Sequence, residues 1–228
     1  MRNPVSLVSV LAISMALAAC GQKQDSGAEA PEAATSVSAE AGKVAADEPA
    51  PAGAAAVDPD MALKQAQLDD ATMEDAYIND PKGQWASAAT ASSSYGDVPA
   101  DSQESYSAWQ ATGVVNGDNW SSKASSIGFD WLQTTYATPV KATEVRVVFQ
   151  VGYGVEAVSK VELKDTDGAY HTVWSGVGDV ADETRGERTW FVKKFPPTPY
   201  KVAAVKVTVA NALATRYKYI DAVQLIGE

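Results

Sequence analysis

All of the large aromatic side chains lie in one part of this 228-residue chain. The six tryptophans and nine tyrosines fall between Tyr77 and Tyr219, so only the last roughly 150 residues can build a substantial hydrophobic core. Residues 21–58, by contrast, contain 13 alanines but no Leu, Ile, Met or aromatic residue. A segment of that composition cannot bury enough apolar surface to fold. It is predicted to be a flexible tether with a root-mean-square span of about 35 Å.

Inside the C-terminal domain, apolar and polar residues alternate with a period of two. Residues 145–151 and 205–209 show this alternation most clearly, as strands with one buried face require. Further strands are predicted at residues 85–91, 129–136, 158–164, 169–174, 188–195 and 216–226. Short strands at regular spacing are typical of an antiparallel sandwich. The sequence therefore predicts an all-β fold of about eight strands.

Two turn signals and one helix signal organise this domain. Asp167-Gly168 separates two predicted strands and favours a tight hairpin. The prolines of segment 195–199 cannot continue a central strand, so this segment is predicted to be an edge or a crossing connection. Before the sandwich, residues 59–75 are predicted to form a short helix that serves as a stalk or docking element. Asp58 is its N-cap and Pro59 its first residue.

The N-terminal residues have the pattern of an export signal. Arg2 is followed by an apolar stretch, residues 5–16, that is too short to span a membrane. Next comes Leu17-Ala18-Ala19-Cys20, which ends in the only cysteine of the chain. This pattern resembles a bacterial lipoprotein precursor, although an ordinary secretory signal with a leftover thiol is the alternative. The resemblance implies that residues 1–19 are removed and that Cys20 carries acyl chains, which tether the protein to a membrane without spanning it. Gly21 after the cysteine implies sorting to the outer membrane.

Several segments of the domain resemble one known family. They are Gln84-Trp85-Ala86-Ser87-Ala88-Ala89-Thr90-Ala91-Ser92-Ser93, Tyr106-Ser107-Ala108-Trp109-Gln110-Ala111-Thr112-Gly113, and residues 131–133, 139–147 and 220–225. Together they resemble a galactose-binding-like, discoidin-type β-sandwich module over residues 84–227. The resemblance implies a jelly-roll in which loops at one end bind carbohydrate or mediate adhesion, often braced by calcium. The sequence departs from the pattern after Gly113, where residues 114–120 are compressed, and its only histidine falls in a predicted strand.

A sugar site needs exposed aromatic rings beside polar side chains that bind hydroxyl groups. The predicted ligand-binding residues are Trp120, Asn116, Asp118, Asn119, Tyr153, Arg216 and Tyr217. A place in the core is the alternative for Trp120, and core or rim packing is the interpretation of Trp109, Trp131, Trp174 and Trp190. Asn116 and Asp118 are also candidate calcium ligands, although an Asx-Gly turn explains them without a metal. No other cofactor is predicted.

Other apparent motifs have simpler interpretations. Gly152-Tyr153-Gly154 mimics a dinucleotide-binding loop, but a predicted strand follows it where that loop needs a helix. Residues 165–168 resemble the start of a calcium loop and are explained by the hairpin. His171 stands alone and is expected to be hydrogen-bonded within its strand, and Asp182-Glu183 is expected to be solvated. No catalytic residue is assigned.

The charge of the chain limits its partners. The net charge is −11, but from Ala76 onward 14 Lys and Arg face 17 Asp and Glu, which leaves −3. The net charge of −11 argues against nucleic acid and anionic lipid surfaces as direct partners, which are bound largely through Lys and Arg. The first hypothesis is a lipid-anchored, non-catalytic module of the envelope that binds a glycan or polysaccharide. The alternatives are a scaffold that binds another envelope protein and, last, a hydrolase.

Overall fold

The described part of the chain is mostly β-structure. A computed structural model describes residues 58–123, 125–178, 180 and 187–228; the predicted signal peptide, Cys20, nearly all of the tether, and Asp182-Glu183 lie outside these ranges. The helix is α1 (Pro59–Ile78), and the strands are β1 (Gly83–Trp85), β2 (Ala88–Ala91), β3 (Phe129–Val140), β4 (Ala142–Gln150), β5 (Val158–Asp165), β6 (Tyr170–Ser175), β7 (Arg188–Lys194), β8 (Val202–Ala210) and β9 (Ile220–Gly227). Short 3₁₀-helices span Tyr95–Asp97, Ala108–Ala111, Val155–Ala157 and Asn211–Leu213.

The strands form two antiparallel sheets, which confirms the predicted sandwich. One sheet has the order β1-β9-β4-β7 and the other the order β2-β3-β8-β5-β6. The single strand predicted at residues 85–91 is wrong, because it is divided between β1 in the first sheet and β2 in the second. Ala86 is buried at the crossing, and the Ser87 N–H already donates to the carbonyl of Thr135 in the second sheet. The described residues therefore contain nine strands instead of eight.

The hydrophobic core fills the space between the sheets from alternate strand positions. From β4 these are Val145, Val147 and Phe149, and from β8 they are Val205, Val207 and Val209. All six are fully buried, and removing a side chain of this size from water contributes about 1.5–3 kcal/mol. The period-two alternation thus identified the inward faces of both strands, except at Val151, which lies beyond the end of β4, has a φ of +51° and is 46% exposed.

Both turn predictions are confirmed. The hairpin between β5 and β6 turns at Gly168, whose φ of +92° lies in the left-handed region. The Asp165 carboxylate accepts the N–H groups of Asp167 and Ala169, each at 2.9 Å, so this segment is a hairpin and not a calcium loop. The proline-containing segment after β7 crosses from the first sheet to β8 in the second.

Helix α1 begins as predicted and runs three residues further. The Asp58 side chain accepts from the Asp60 N–H at 3.0 Å, and Pro59 is the first helical residue. At the other end, Tyr77 and Ile78 pack on an outer cluster of the four-stranded sheet, which includes Trp190. These tertiary contacts explain why the helix does not stop at residue 75. No helix among the described residues has the length and apolar character needed to cross a membrane.

Candidate functional site

Five tyrosine rings meet at one end of the sandwich, and we name them the tyrosine cluster. They are Tyr95, Tyr106, Tyr153, Tyr217 and Tyr219. This is the end at which β4 finishes and β9 begins, because Phe149 pairs with Ile220 across those antiparallel strands. Loops that are far apart in sequence therefore converge there.

The rings contact one another in a continuous series. Tyr95 meets Tyr217 edge-on with ring centroids 4.9 Å apart, and it meets Tyr106 edge-on at 5.3 Å. Tyr219 stacks on Tyr106 at 5.8 Å and touches Tyr153 at 5.6 Å. Aromatic pairs with these separations contribute about 0.5–1.5 kcal/mol beyond the area they bury. The cluster is therefore held together by its own contacts.

Four of the rings, with Ser121, line a cavity of about 100 Å³ that we name the tyrosine cleft. Tyr95 remains 43% exposed at its mouth. Burial raises the pKa of the Tyr219 phenol, and the neighbouring phenols, that of Tyr106 first, raise it further. This hydroxyl therefore keeps its proton at neutral pH and can both donate and accept a hydrogen bond.

A second depression of about 180 Å³ adjoins the cleft, and we name it the Asn119 depression. It is lined by Ser105, Tyr106, Gly117, Asp118 and Asn119, so the two spaces share Tyr106. Asn119 is buried, and its amide donates to the Gln150 side chain at 2.7 Å. Asp118 is exposed. The arrangement places polar side chains next to an aromatic surface.

The prediction that Trp120 contacts a ligand is wrong for this structure. Trp120 is fully buried, and its indole N–H donates to the Ser93 carbonyl at 2.9 Å. Its main chain exchanges two hydrogen bonds with Ile220, at 2.9 and 3.1 Å. This bridge draws the ring into the core, although the ring follows a polar loop in sequence.

The Asn116–Asp118 segment forms an Asx-Gly turn, which was the alternative to the predicted calcium site. The Asn116 side-chain oxygen accepts the Asp118 N–H at 2.8 Å. The Asp221 carboxylate accepts the N–H groups of Asn116 and Gly117, each at 3.1 Å. Among the residues that the structure describes, no group of three or more His, Cys, Asp or Glu side chains is placed to hold a metal ion.

The other predicted ligand-binding residues lie at the tyrosine cluster. Tyr217 lines the cleft. The guanidinium of Arg216 lies 4.9 Å from the centroid of the Tyr153 ring, within the range of a cation–π interaction. The structure thus brings Tyr153, Arg216 and Tyr217 together, with Asn119 and Asp118 on the adjoining depression.

Lys218 stabilises the loops next to the tyrosine cluster. It lies between Tyr217 and Tyr219 in sequence but is fully buried. Its ammonium donates to the carbonyls of Ser125, Asn211 and Ala214, at 2.6, 3.1 and 3.1 Å. Burial lowers the pKa of this ammonium, and the charges of Glu156 and Asp130 oppose that shift. One lysine therefore ties together the two connections that lead into β3 and β9.

Sequence reasoning missed Tyr95, Tyr106 and Tyr219 as members of the site. Tyr219 had a local signal, because it follows Tyr217 at the period of two that places both rings on the same side of an extended chain. Tyr95 and Tyr106 had no local signal, since the other rings they contact, Tyr217 and Tyr219, come more than 100 residues later in the sequence. Of the tryptophans interpreted as packing residues, Trp190 is buried, whereas Trp109 is 39% exposed and Trp131 lies on the outer side of the five-stranded sheet under Lys206.

Comparisons with known proteins give structural neighbours only. No protein-family model matches the chain, and no curated protein matches it. The chain is similar to chitosan-binding module 1 of a chitosanase/glucanase from Paenibacillus sp. IK-5, with 17% identity and a TM-score of 0.44 over 61% of this chain and 93% of that one. It is also similar to the family 32 carbohydrate-binding module of NanJ from C. perfringens in complex with galactose, with 15% identity and a TM-score of 0.46 over 63% and 98%. A third neighbour is the family 32 module of AlyQ in complex with 4,5-unsaturated mannuronic acid, with 13% identity and a TM-score of 0.44 over 63% and 97%.

Proposed function

We propose that this protein is a non-catalytic glycan-binding module of the bacterial envelope and that its ligand lies at the tyrosine cleft. One observation carries the proposal. Four tyrosine rings from three separate chain segments line a single cavity, with the Asn119 depression beside it. A sheet-packing role alone requires no such convergence of aromatic rings at the loop end.

The chemistry of the cleft suits a sugar ring. A pyranose has apolar C–H faces that stack on aromatic rings and hydroxyl groups that both donate and accept hydrogen bonds. The phenols of the cleft supply both properties, and Asp118 and Asn119 add polar groups at its edge. The size of the cleft, about 100 Å³, suits one edge of a sugar unit with the rest of the ligand outside.

The arrangement supports binding without catalysis. Glycoside hydrolysis generally uses two carboxyl groups on either side of the scissile bond, whereas Asp118 is the only carboxylate among the described residues that line the cleft and the Asn119 depression. His171 pairs with Asp165 at 2.7 Å beside the β5–β6 hairpin, at the opposite end of the strands. No nucleophile, base and orienting group meet at the cleft within the described residues.

Attachment to the membrane is part of the proposal. Cys20 at the end of the cleavage box would be lipidated, and residues 21–58 would act as a spacer that holds the domain away from the outer membrane. Metabolic labelling with an alkyne fatty acid tests this step. The wild-type protein should be labelled and Cys20→Ala should not, and label on the variant would contradict the anchor.

Glycan binding is tested with the purified mature protein on a glycan array. Tyr217→Ala removes a ring of the cleft and should reduce the signal of every bound glycan at least about tenfold, the loss expected when one stacking aromatic side chain is removed. The control is Tyr170→Ala, because Tyr170 is an exposed tyrosine, more exposed than Tyr217, that lies on the five-stranded sheet near the hairpin. Equal signals from the two variants, or no signal from the wild-type protein, would refute the proposal.

One observation favours a second candidate function, a scaffold that binds another envelope protein. The first half of α1 exposes Met61, Leu63 and Leu68, each at least half exposed. A photo-crosslinking residue at position 68 tests this function in cells. A single discrete protein adduct would support the scaffold, and its absence would leave glycan binding as the function of the described domain.

A further inference from the structure

The outer face of the five-stranded sheet carries a row of aromatic and basic side chains, which we name the sheet-face row. Its members are Trp131 and Gln133 from β3, Lys206 from β8, Lys164 from β5 and Tyr170 from β6. Gln133 pairs with Lys206, and Lys164 pairs with Tyr170. Lys164 also pairs with Ala204, two residues before Lys206. Side chains at paired positions lie on the same face of a sheet, so all five lie on one surface.

Aromatic rings hold the two lysines of the row in place. The Lys206 ammonium lies 4.7 Å from the centroid of the Trp131 ring and 5.5 Å from that of the Tyr170 ring. The Lys164 ammonium lies 5.6 Å from the Tyr170 centroid. Both lysines are within the range of cation–π interactions. The Tyr170 hydroxyl donates to the Gln133 side chain, so this ring from β6 reaches back across β5 and β8 to β3. The row is therefore ordered before a ligand binds.

The row is open to a ligand and adjoins a depression. Tyr170 is 45% exposed, and the other four members of the row are partly exposed. The depression has a volume of about 300 Å³, and its lining includes Gln133, Thr135, Lys164, Ala204 and hairpin residues 165–168. We name it the Ala204 depression, because the small side chain of Ala204 lies between Thr135 and Lys164 in the register and leaves space there.

The row carries positive charge that is not engaged in salt bridges. On this face of β5 and β8, the three lysines Lys160, Lys164 and Lys206 outnumber the one acidic residue, Glu162, which leaves +2. The Glu162 carboxylate pairs with Lys160 at 3.1 Å. Within the described part of the chain, neither Lys164 nor Lys206 forms a salt bridge. This local charge favours an anionic ligand, although the whole chain has a net charge of −11.

The acidic residues of the hairpin leave this positive charge in place. One oxygen of Asp165 accepts the main-chain N–H groups of Asp167 and Ala169, and the other lies 2.7 Å from His171. Asp167 is exposed in the turn, where solvent and salt screen its carboxylate. The ammoniums of the row are therefore free to bind an anion from outside.

The groups around the lysines favour an acidic polysaccharide over a nucleic acid. Duplex DNA carries one charge per roughly 1.7 Å of its axis, which two lysines on a net negative chain cannot neutralise. A polyuronate carries one carboxylate on each sugar unit, together with hydroxyl groups and apolar C–H faces. Gln133 and Thr135 can bind the hydroxyl groups, and the exposed part of the Tyr170 ring can contact a C–H face.

We propose that the sheet-face row and the Ala204 depression form a second glycan-binding surface, which binds a polyuronate through Lys164, Lys206 and Tyr170. This surface is separate from the tyrosine cleft, because the β5–β6 hairpin at its edge lies at the opposite end of the strands. Exposed charge contacts are individually weak, so the surface binds a polymer and not the short glycans of an array. Tyr170→Ala should therefore keep its array signal.

The test measures binding of the purified mature protein to immobilised polygalacturonate. Binding of the wild-type protein should weaken as the salt concentration rises. Lys164→Met/Lys206→Met should bind at least about fivefold more weakly, the loss expected for two exposed charge contacts, and the double arginine variant at the same positions should retain binding. Tyr217→Ala should bind polygalacturonate as the wild type does, because it changes only the tyrosine cleft.

The control for net charge is Lys82→Met/Lys123→Met. It also removes two exposed lysines, which pair with Glu228 and Asp97 away from this face, and it should bind as the wild type does. Polyglutamate is the comparison for an acidic polymer without sugar rings, and it should bind more weakly than polygalacturonate.

Four outcomes would overturn the second surface. They are no binding of the wild-type protein to polygalacturonate, equal affinities for the two double methionine variants, tighter binding of polyglutamate, and loss of polygalacturonate binding in Tyr217→Ala alone. The last would place the polymer at the tyrosine cleft. Failure of the cleft itself is detected separately, by the array signals of the wild-type protein and Tyr217→Ala.

Discussion

The guanidinium of Arg146 lies 4.0 Å from the centroid of the Tyr77 ring, and this contact fastens helix α1 to the sandwich. Arg146 projects from the outer side of β4 and is nearly fully buried. It pairs with Asp80 at 2.9 Å and with Glu144 on its own strand, and it donates to Gln224 at 3.0 Å. The Gln224 amide also donates to the Tyr77 carbonyl. A polar network therefore holds the end of a helix that contributes no fully buried residue of its own.

Replacement of Arg146 should be strongly destabilising. Arg146→Met leaves the buried Glu144 carboxylate with only the exposed Lys194, 3.8 Å away, as a cation, and breaking one partner of a buried ion pair costs about 3–5 kcal/mol. Urea denaturation measures the change in the free energy of unfolding. The double variant Arg146→Met/Glu144→Gln should recover part of the lost free energy of unfolding, because it no longer buries an unpaired carboxylate. The control is Lys82→Met, whose pair with Glu228 is exposed and screened by solvent, so its loss should change stability far less. Equal losses for the two single variants would contradict this account.

Two glycines separate the effect of backbone strain from that of a close contact. Gly117 and Gly154 both have a left-handed φ, +90° and +87°. A Cβ at Gly117 would meet nothing within 4 Å, whereas one at Gly154 would lie 2.6 Å from the Lys218 side chain. Gly117→Ala should cost about 1–2 kcal/mol from strain alone, and Gly154→Ala should cost about 1–3 kcal/mol more from overpacking. Matching thermal unfolding curves for the two variants would contradict the close contact.

Tyr136 should make the fold sensitive to alkaline pH. Its phenol is buried, lies 3.0 Å from the Thr134 hydroxyl and donates to the Val223 carbonyl at 3.3 Å. Burial raises its pKa well above 10. Above about pH 10 the unfolded chain releases this proton while the folded chain keeps it, so stability falls as pH rises, by about 1.4 kcal/mol per pH unit for one such group. Denaturation between about pH 9 and pH 11.5 should show a shallower decline for Tyr136→Phe. The exposed Tyr170→Phe should decline as the wild type does.

The parts of this fold that depend on local patterns were predictable from sequence. Alternation at residues 145–151 and 205–209 gave the inward faces of β4 and β8, and Asp167-Gly168 gave the hairpin, because side-chain period and turn geometry are local properties. The division of residues 85–91 into two strands was not predictable in this way. It depends on which sheet offers partners to Ser87, and that is decided by Thr135, far away in sequence.

The candidate site was only partly predictable for the same reason. Tyr217 and Arg216 were among the predicted ligand-binding residues, although they were placed in a strand that in fact begins only at Ile220. Tyr95 and Tyr106 join Tyr217 only through the folded sandwich. Trp120 shows the converse error. Its neighbours Asn116, Asp118 and Asn119 suggested an exposed loop, while two main-chain hydrogen bonds to Ile220 place its ring in the core. Long-range pairing, which no local pattern reveals, decided both outcomes.

Lys218 should couple the stability of the loop end to ligand binding. Its buried ammonium is the shared donor of three main-chain carbonyls, and Lys218→Met removes the donor but keeps much of the apolar stem. Leaving buried acceptors unpaired costs about 1–3 kcal/mol each, and relaxation of the loops reduces the sum. We therefore expect a loss of about 2–4 kcal/mol in the free energy of unfolding, together with weaker glycan binding, because Tyr217 and Tyr219 flank the replaced residue. Amide hydrogen exchange should show faster exchange in the connections to β3 and β9 than in the centre of β4. A variant that is destabilised uniformly, with binding unchanged, would contradict a local role for Lys218.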